Sequence, residues 1–270
     1  MHPLIYPFLL LFFASGLLKE FILLLFFVTL HELSHVATGL FFGAEFSELL
    51  VTPVGERAII KNIELLSYRK RLAVAFSGPF LSLFLGFFFL LFFPHTEFFC
   101  FLSLANFIIG LFNLLPFLPM DGGNLLLFYF GKRFGTLYTA EILTKLSKGF
   151  GYFLIVVGIF QVIFYPFNIS LLLIGFYFRH SNQREYLNIT FRFYKGILHY
   201  KNGCQEGKRI EVKRMMIHSK ERLGDILKKI STDYYYIFCF MEESGLKEIS
   251  QSEVMELLLE KGGTAEIGSC

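Results

Sequence analysis

His31-Glu32-Leu33-Ser34-His35 lies inside an otherwise apolar run, residues 21–42, that is long enough to cross a bilayer. Ionisable side chains at membrane depth are costly, so such a cluster is read first as a functional site. Two histidines at i and i+4 share one helix face and can grip one metal ion. The glutamate between them lies close enough to take a proton from a water that the metal activates. The pattern points to a hydrolase whose active site is in the membrane.

The rest of the chain fits a membrane protein. Of its 270 residues 54% are hydrophobic and 37 are Phe, more apolar than a soluble domain of this length. Nearly all the long apolar runs fall in residues 1–180, and residues 181–270 read as ordinary soluble sequence. We expect a transmembrane domain over 1–180, a linker over 181–207 and a small domain over 208–270. A net charge of +3 is too small to point to nucleic acid. The N-terminal run lacks a basic n-region and reads as a retained helix. Cys100, Cys204, Cys239 and Cys270 show neither metal-type spacing nor a disulfide framework.

Apolar segments at about 3–18, 21–42, 72–93, 98–118, 150–165 and 167–178 predict six spans. The last two are short and broken at Tyr165-Pro166-Phe167-Asn168, and two thin spans fit the charges better than one. Arg57, Lys61, Arg69, Lys70 and Arg71 in the 43–71 loop then share a side with Lys132, Arg133, Lys145 and Lys148 in the 121–149 loop, and with Arg179 and Arg184. The positive-inside rule makes that side, and both termini, cytoplasmic. His31 lies eleven residues past Glu20, or about 16 Å along a helix, at mid-depth or slightly cytoplasmic. Residues 46–60 read as a hairpin turning at Pro53-Val54-Gly55-Glu56, either a simple connection or an edge that an extended peptide could join.

Two histidines leave a catalytic zinc short of its usual three protein ligands. Asp121 is the best third ligand, in Asn113-Leu114-Leu115-Pro116-Phe117-Leu118-Pro119-Met120-Asp121-Gly122-Gly123. The prolines should end span four, and irregular backbone at membrane depth is tolerated where it lines a cavity. Asn113 and Pro116 are candidate substrate-binding residues. Gly39, Gly43, Gly78 and Gly86 read as close helix-packing positions.

With these motifs the chain resembles the site-2 zinc intramembrane proteases. The likeness rests on His31, Glu32 and His35, on Asn113, Pro116, Pro119, Asp121 and Gly122, and on Ser77-Gly78-Pro79. It departs at Ser82, where the family often has Asn, and at Ser34, where many members have Gly. The resemblance implies a zinc metalloendopeptidase with one Zn2+ per subunit, held by His31, His35 and Asp121, and Glu32 as catalytic base.

Residues 208–259 resemble one cystathionine-β-synthase (CBS) motif, with Ser250 and Glu253 where such modules contact an adenine nucleotide such as ATP; Glu248 stands where a glycine is expected. The expected fold class is thus an α-helical polytopic membrane protein with a small C-terminal α/β, CBS-like cytoplasmic domain. A compact protease with one such module is similar to the branch found in spore-forming bacteria. That likeness implies a membrane-associated substrate, the precursor of sigma-K, cut to remove its N-terminal pro-sequence in the mother-cell membrane around the forespore. It also implies membrane inhibitor proteins as partners and leaves a homo-oligomer open. An anti-sigma factor or a peptide precursor is the alternative substrate. The rival class is a CBS-regulated transporter or channel using His31, Glu32 and His35 as a cation relay. It predicts polar residues along several spans, which this sequence lacks.

Overall fold

The computed structural model describes residues 16, 18–52, 55–165, 168–205, 211–242 and 245–269. The expected span at 3–18 lies outside these apart from residues 16 and 18. The chain is mostly helical and divides into two compact units, residues 1–125 with 147–180 and residues 126–146 with 181–270.

In the first unit, α1 (Leu18–Phe41) carries His31, Glu32 and His35. It stops in a Schellman turn: Gly43, at φ 93°, donates to the Leu40 carbonyl and Ala44 donates to the Gly39 carbonyl. The strands β1 (Glu45–Thr52) and β2 (Gly55–Lys61) follow, antiparallel, with a register shift between Phe46 and Glu48. The expected hairpin is present, although Pro53 and Val54 of its turn lie outside the described residues. Next come α2 (Tyr68–Phe92) and α3 (Glu97–Asn113). Gly86 sits against the Phe107 ring and Gly110 against Leu83, so these helices approach where side chains are absent. Phe76, Phe80, Phe84 and Phe88 run along one exposed face of α2 at helical spacing, as a lipid-facing surface requires.

Two long helices, α5 (Thr136–Phe164) and α6 (Ser170–Gln205), resolve the 150–178 region into separate elements. Gly151 meets Gly175 and Phe178, and Gly158 meets Leu172, so the two run antiparallel at close range. Among the described residues α1, α2 and α5 are long and apolar enough to cross a membrane, and α3 is apolar but shorter, at 17 residues.

Two expectations need correction. The 121–149 segment is not a loop: it forms α4 (Asp121–Phe134) and the start of α5. Its basic residues mask helices whose Leu127, Leu137, Ala140 and Leu143 are buried. The 181–207 segment, expected as a linker, is helical through Gln205. Ile189, Phe193 and Ile197 recur every fourth residue and are buried, which gives that stretch a core-facing stripe.

The second unit contains β3 (Val212–Met216), α7 (Leu223–Lys228), β4 (Tyr235–Glu242), β5 (Gly245–Ser250) and α8 (Gln251–Lys261). β4 is central, parallel to β3 and antiparallel to β5. Its core joins Phe238, Ile226 and Val254 to Leu137, Phe193 and Ile197 from α5 and α6. Ser250 caps α8 with a capping box: its hydroxyl accepts from the Glu253 amide, and the Glu253 carboxylate accepts from the Ser250 amide. The Ser250 amide and hydroxyl hold the Glu253 carboxyl below its usual range.

Ser250→Ala should weaken the start of α8 by about 1 kcal/mol, measured as faster hydrogen exchange of its first-turn amides. Because Glu253 has a lowered folded-state pKa, its share is present above the ordinary glutamate range and is lost as pH falls through the folded-state value.

Candidate metal centre

One turn of α1 separates His31 from His35, and their rings meet edge to face with centroids 5.0 Å apart. Both are buried, and their Nε2 atoms are 3.3 Å apart. Asp121, the first residue of α4, places Oδ2 3.0 Å from His31 Nε2 and 3.2 Å from His35 Nε2. Three donor atoms from two helices thus converge on one point.

The outer face of each ring sets what those atoms are. His35 Nδ1 lies 2.6 Å from the Val74 carbonyl of α2, which only accepts, so Nδ1 carries a proton. In the neutral ring Nε2 is then a bare lone pair aimed at the centre. His31 Nδ1 is 2.9 Å from the Ser82 hydroxyl. Ser77 Oγ also donates to the Val74 carbonyl and lies 3.4 Å from His35 Nδ1. Such partners fix ring orientation and tautomer in metal-binding histidines.

Electron-rich atoms at 3.0–3.3 Å repel one another unless a proton or a metal cation lies among them. A zinc bonded at about 2.0–2.1 Å in tetrahedral geometry keeps its ligands about 3.3 Å apart. The donor set and its spacing therefore fit zinc. His31, Glu32 and His35 also each offer a ligand atom within 4.8 Å of the others. The Glu32 carboxylate, however, accepts from the Ala58 amide of β2 at 2.8 Å, which ties the hairpin to the centre.

Gly78, in Ser77-Gly78-Pro79 of α2, is part of this site. A Cβ there would lie 2.3 Å from His35 Nε2 and 2.7 Å from His31 Nε2. Its glycine admits the two imidazoles, beyond the helix packing that its sequence context indicates. Gly122 and Gly123 do the same for Asp121, since a Cβ on either would strike the Leu114 or Phe117 carbonyl. Asn113 is half-buried at the end of α3, and its amide donates locally to the Ile109 carbonyl. Pro116 is exposed on the elbow between α3 and α4. Ser250 and Glu253, expected at a nucleotide contact, form the capping box of α8.

Sequence reading missed the parts played by Ser82, Val74 and Ala58. The small-Gly-Pro motif marked the right turn of α2, but a backbone carbonyl leaves no trace in sequence.

The Peptidase family M50 model matches residues 93–158, a stretch that contains Asp121. A zinc metalloprotease of Methanocaldococcus jannaschii is 29% identical over 175 residues, covering 61% of this chain and 48% of that protein. Stage IV sporulation protein FB of Bacillus subtilis is 28% identical over 205 residues, covering 69% of this chain and 68% of that protein. The solved structure of the site-2 protease from M. jannaschii superposes with a TM-score of 0.56 at 27% identity, over 68% of this chain and 84% of that one. These findings support the peptidase M50, or site-2 protease, family. The chain spans about half the length of the archaeal metalloprotease and about two thirds of the sporulation protein.

Gly78→Ala should keep the helical content and lose bound zinc, because the new methyl occupies the space of the two Nε2 atoms. Metal content per folded protein after purification in zinc checks this; full occupancy would contradict the geometry.

Proposed function

We propose that this chain is an intramembrane zinc endopeptidase acting in regulated proteolysis, with His31, His35 and Asp121 as zinc ligands and Glu32 as general base. The observation that carries the reading is the convergence of two imidazole nitrogens and one carboxylate oxygen within 3.3 Å, with the outer nitrogen of each ring already engaged. Zinc, when bound, would supply Lewis acidity to activate a water and to polarise the scissile carbonyl.

The remaining work falls to the chain's own residues. Glu32 takes a proton from the attacking water and passes it to the leaving amide nitrogen. Its bond from the Ala58 amide keeps one carboxylate oxygen oriented and leaves the other for that task. Ala58 stands opposite Leu49 in the hairpin but donates its amide to Glu32, so the edge of β2 away from β1 faces the base. An extended substrate segment pairing along that edge would lie beside Glu32.

Six spans with both termini cytoplasmic is the topology we favour, supported by the Lys and Arg of the 43–71 loop and by Arg179 and Arg184. The β3-α7-β4-β5-α8 order of the second unit supports a CBS-like regulatory role for residues 208–270. The likeness to the sporulation protein supports the sigma-K precursor, cut near its N-terminus, as substrate and membrane inhibitors as partners.

Co-expression with the sigma-K precursor tests both parts. The wild type should release the shortened factor, and Glu32→Gln should reduce cleavage about 10²-fold or more while retaining its zinc. Equal cleavage by both would remove Glu32 from the mechanism. Failure of a zinc-loaded wild type on this precursor, with cleavage of an anti-sigma factor or peptide precursor, would reassign the substrate.

A further inference from the structure

We infer that Ser147 on α5 is a positioning residue for the third metal ligand: its hydroxyl holds the elbow that delivers Asp121 to the two histidines. The inference rests on the metal reading above and concerns residues outside the recognised motifs.

The elbow, residues 114–120, is neither helix nor strand, so each of its amides needs a partner. Pro116 and Pro119 have none to donate. Leu114 donates to Gly110, Leu115 to Phe112, Phe117 to Leu115 and Met120 to Phe117, all through local backbone carbonyls. Leu118 is different: its amide donates to Ser147 Oγ at 2.8 Å, 29 positions along the chain. Leu118 and Ser147 are both 0% exposed, so the bond is shut off from bulk water. A serine within a helix is otherwise a weak choice, since its hydroxyl tends to compete for the helix's own carbonyls.

A second contact fixes the same segment. Phe150 lies one turn beyond Ser147 on the same face of α5. Its ring stacks on Phe117, with centroids 4.1 Å apart and planes at 8°. The elbow is therefore clamped by one hydrogen bond and one ring stack at adjacent residues. Asp121 follows three residues after Leu118. Gly122 and Gly123 press against the Leu114 and Phe117 carbonyls, so the first turn of α4 has no slack relative to the elbow. A shift of the elbow carries Asp121 Oδ2 with it, and Oδ2 stands 3.0–3.2 Å from both imidazoles.

The test is zinc affinity of the full-length protein in detergent, by competition with a chelator of known affinity. Helix content and apo-protein melting are measured beside it. Ser147→Ala is expected to bind zinc about 10- to 100-fold more weakly, the range for residues that orient metal ligands. Ser147→Thr and Ser147→Val form an equal-volume pair that differs in the hydroxyl alone, so it separates the hydrogen bond from packing even if the alanine variant folds poorly. Threonine should bind about as tightly as serine, and valine should fall with alanine. Equal affinity in valine and threonine, or in alanine and wild type, overturns the inference. A wild type that binds no zinc overturns the metal reading instead, and the two failures are therefore distinct.

Discussion

Three electron-rich atoms meet where water is scarce, and the first unit is organised around that encounter. His31 Nε2, His35 Nε2 and Asp121 Oδ2 come within 3.0–3.3 Å of one another. With neither a proton nor a metal between them they repel, and a low-dielectric interior strengthens the repulsion. A cation turns the same arrangement into attraction. The structure holds the atoms in place from behind: Val74 and Ser82 on α2 engage the outer ring nitrogens, and the elbow after α3 brings in the carboxylate.

A packed interior allows little irregular backbone, because each buried amide needs a partner. The chain nevertheless breaks its helices at the two places the site needs. At the hairpin, the Ala58 amide is satisfied by Glu32. At the elbow, prolines remove two amides, local turns satisfy four, and Ser147 takes the last. Glycines do the complementary work. Gly78 makes room for two imidazole rings, and Gly122 and Gly123 let α4 start against the elbow carbonyls. Polar satisfaction and absent side chains thus solve one problem, which is to bring a second helix's carboxylate up to a buried helix face.

Much of this was legible from residue order. HELSH on an apolar helix put two histidines on one face, because i, i+4 spacing does so in any α-helix, with a glutamate beside them. The hairpin over residues 46–60 followed from its turn signal and β-forming residues. Two stretches misled. Lysines and glycines made 121–149 read as a loop and polar residues made 181–207 read as a linker. Residues 121–134, 136–149 and 181–205 are helical, with narrow apolar stripes, and their described basic residues are exposed or half-buried. Ser250 and Glu253, which suggested a ligand contact, also spell a capping box, and the structure shows that local motif formed.

The sequence by itself determined the chemistry available: two histidines and a glutamate on one helical face, an aspartate behind two prolines, and apolar helices to hold them. Helical periodicity and backbone chemistry are local properties, so residue order suffices to read them. Only the tertiary structure decided that Asp121 reaches both imidazoles across a separation of 86 residues or more, and that Gly78 lies beneath them. It also decided that a backbone carbonyl at Val74 and a hydroxyl at Ser147 complete the arrangement. Those are contacts between elements distant in sequence, and they exist only once the helices have packed.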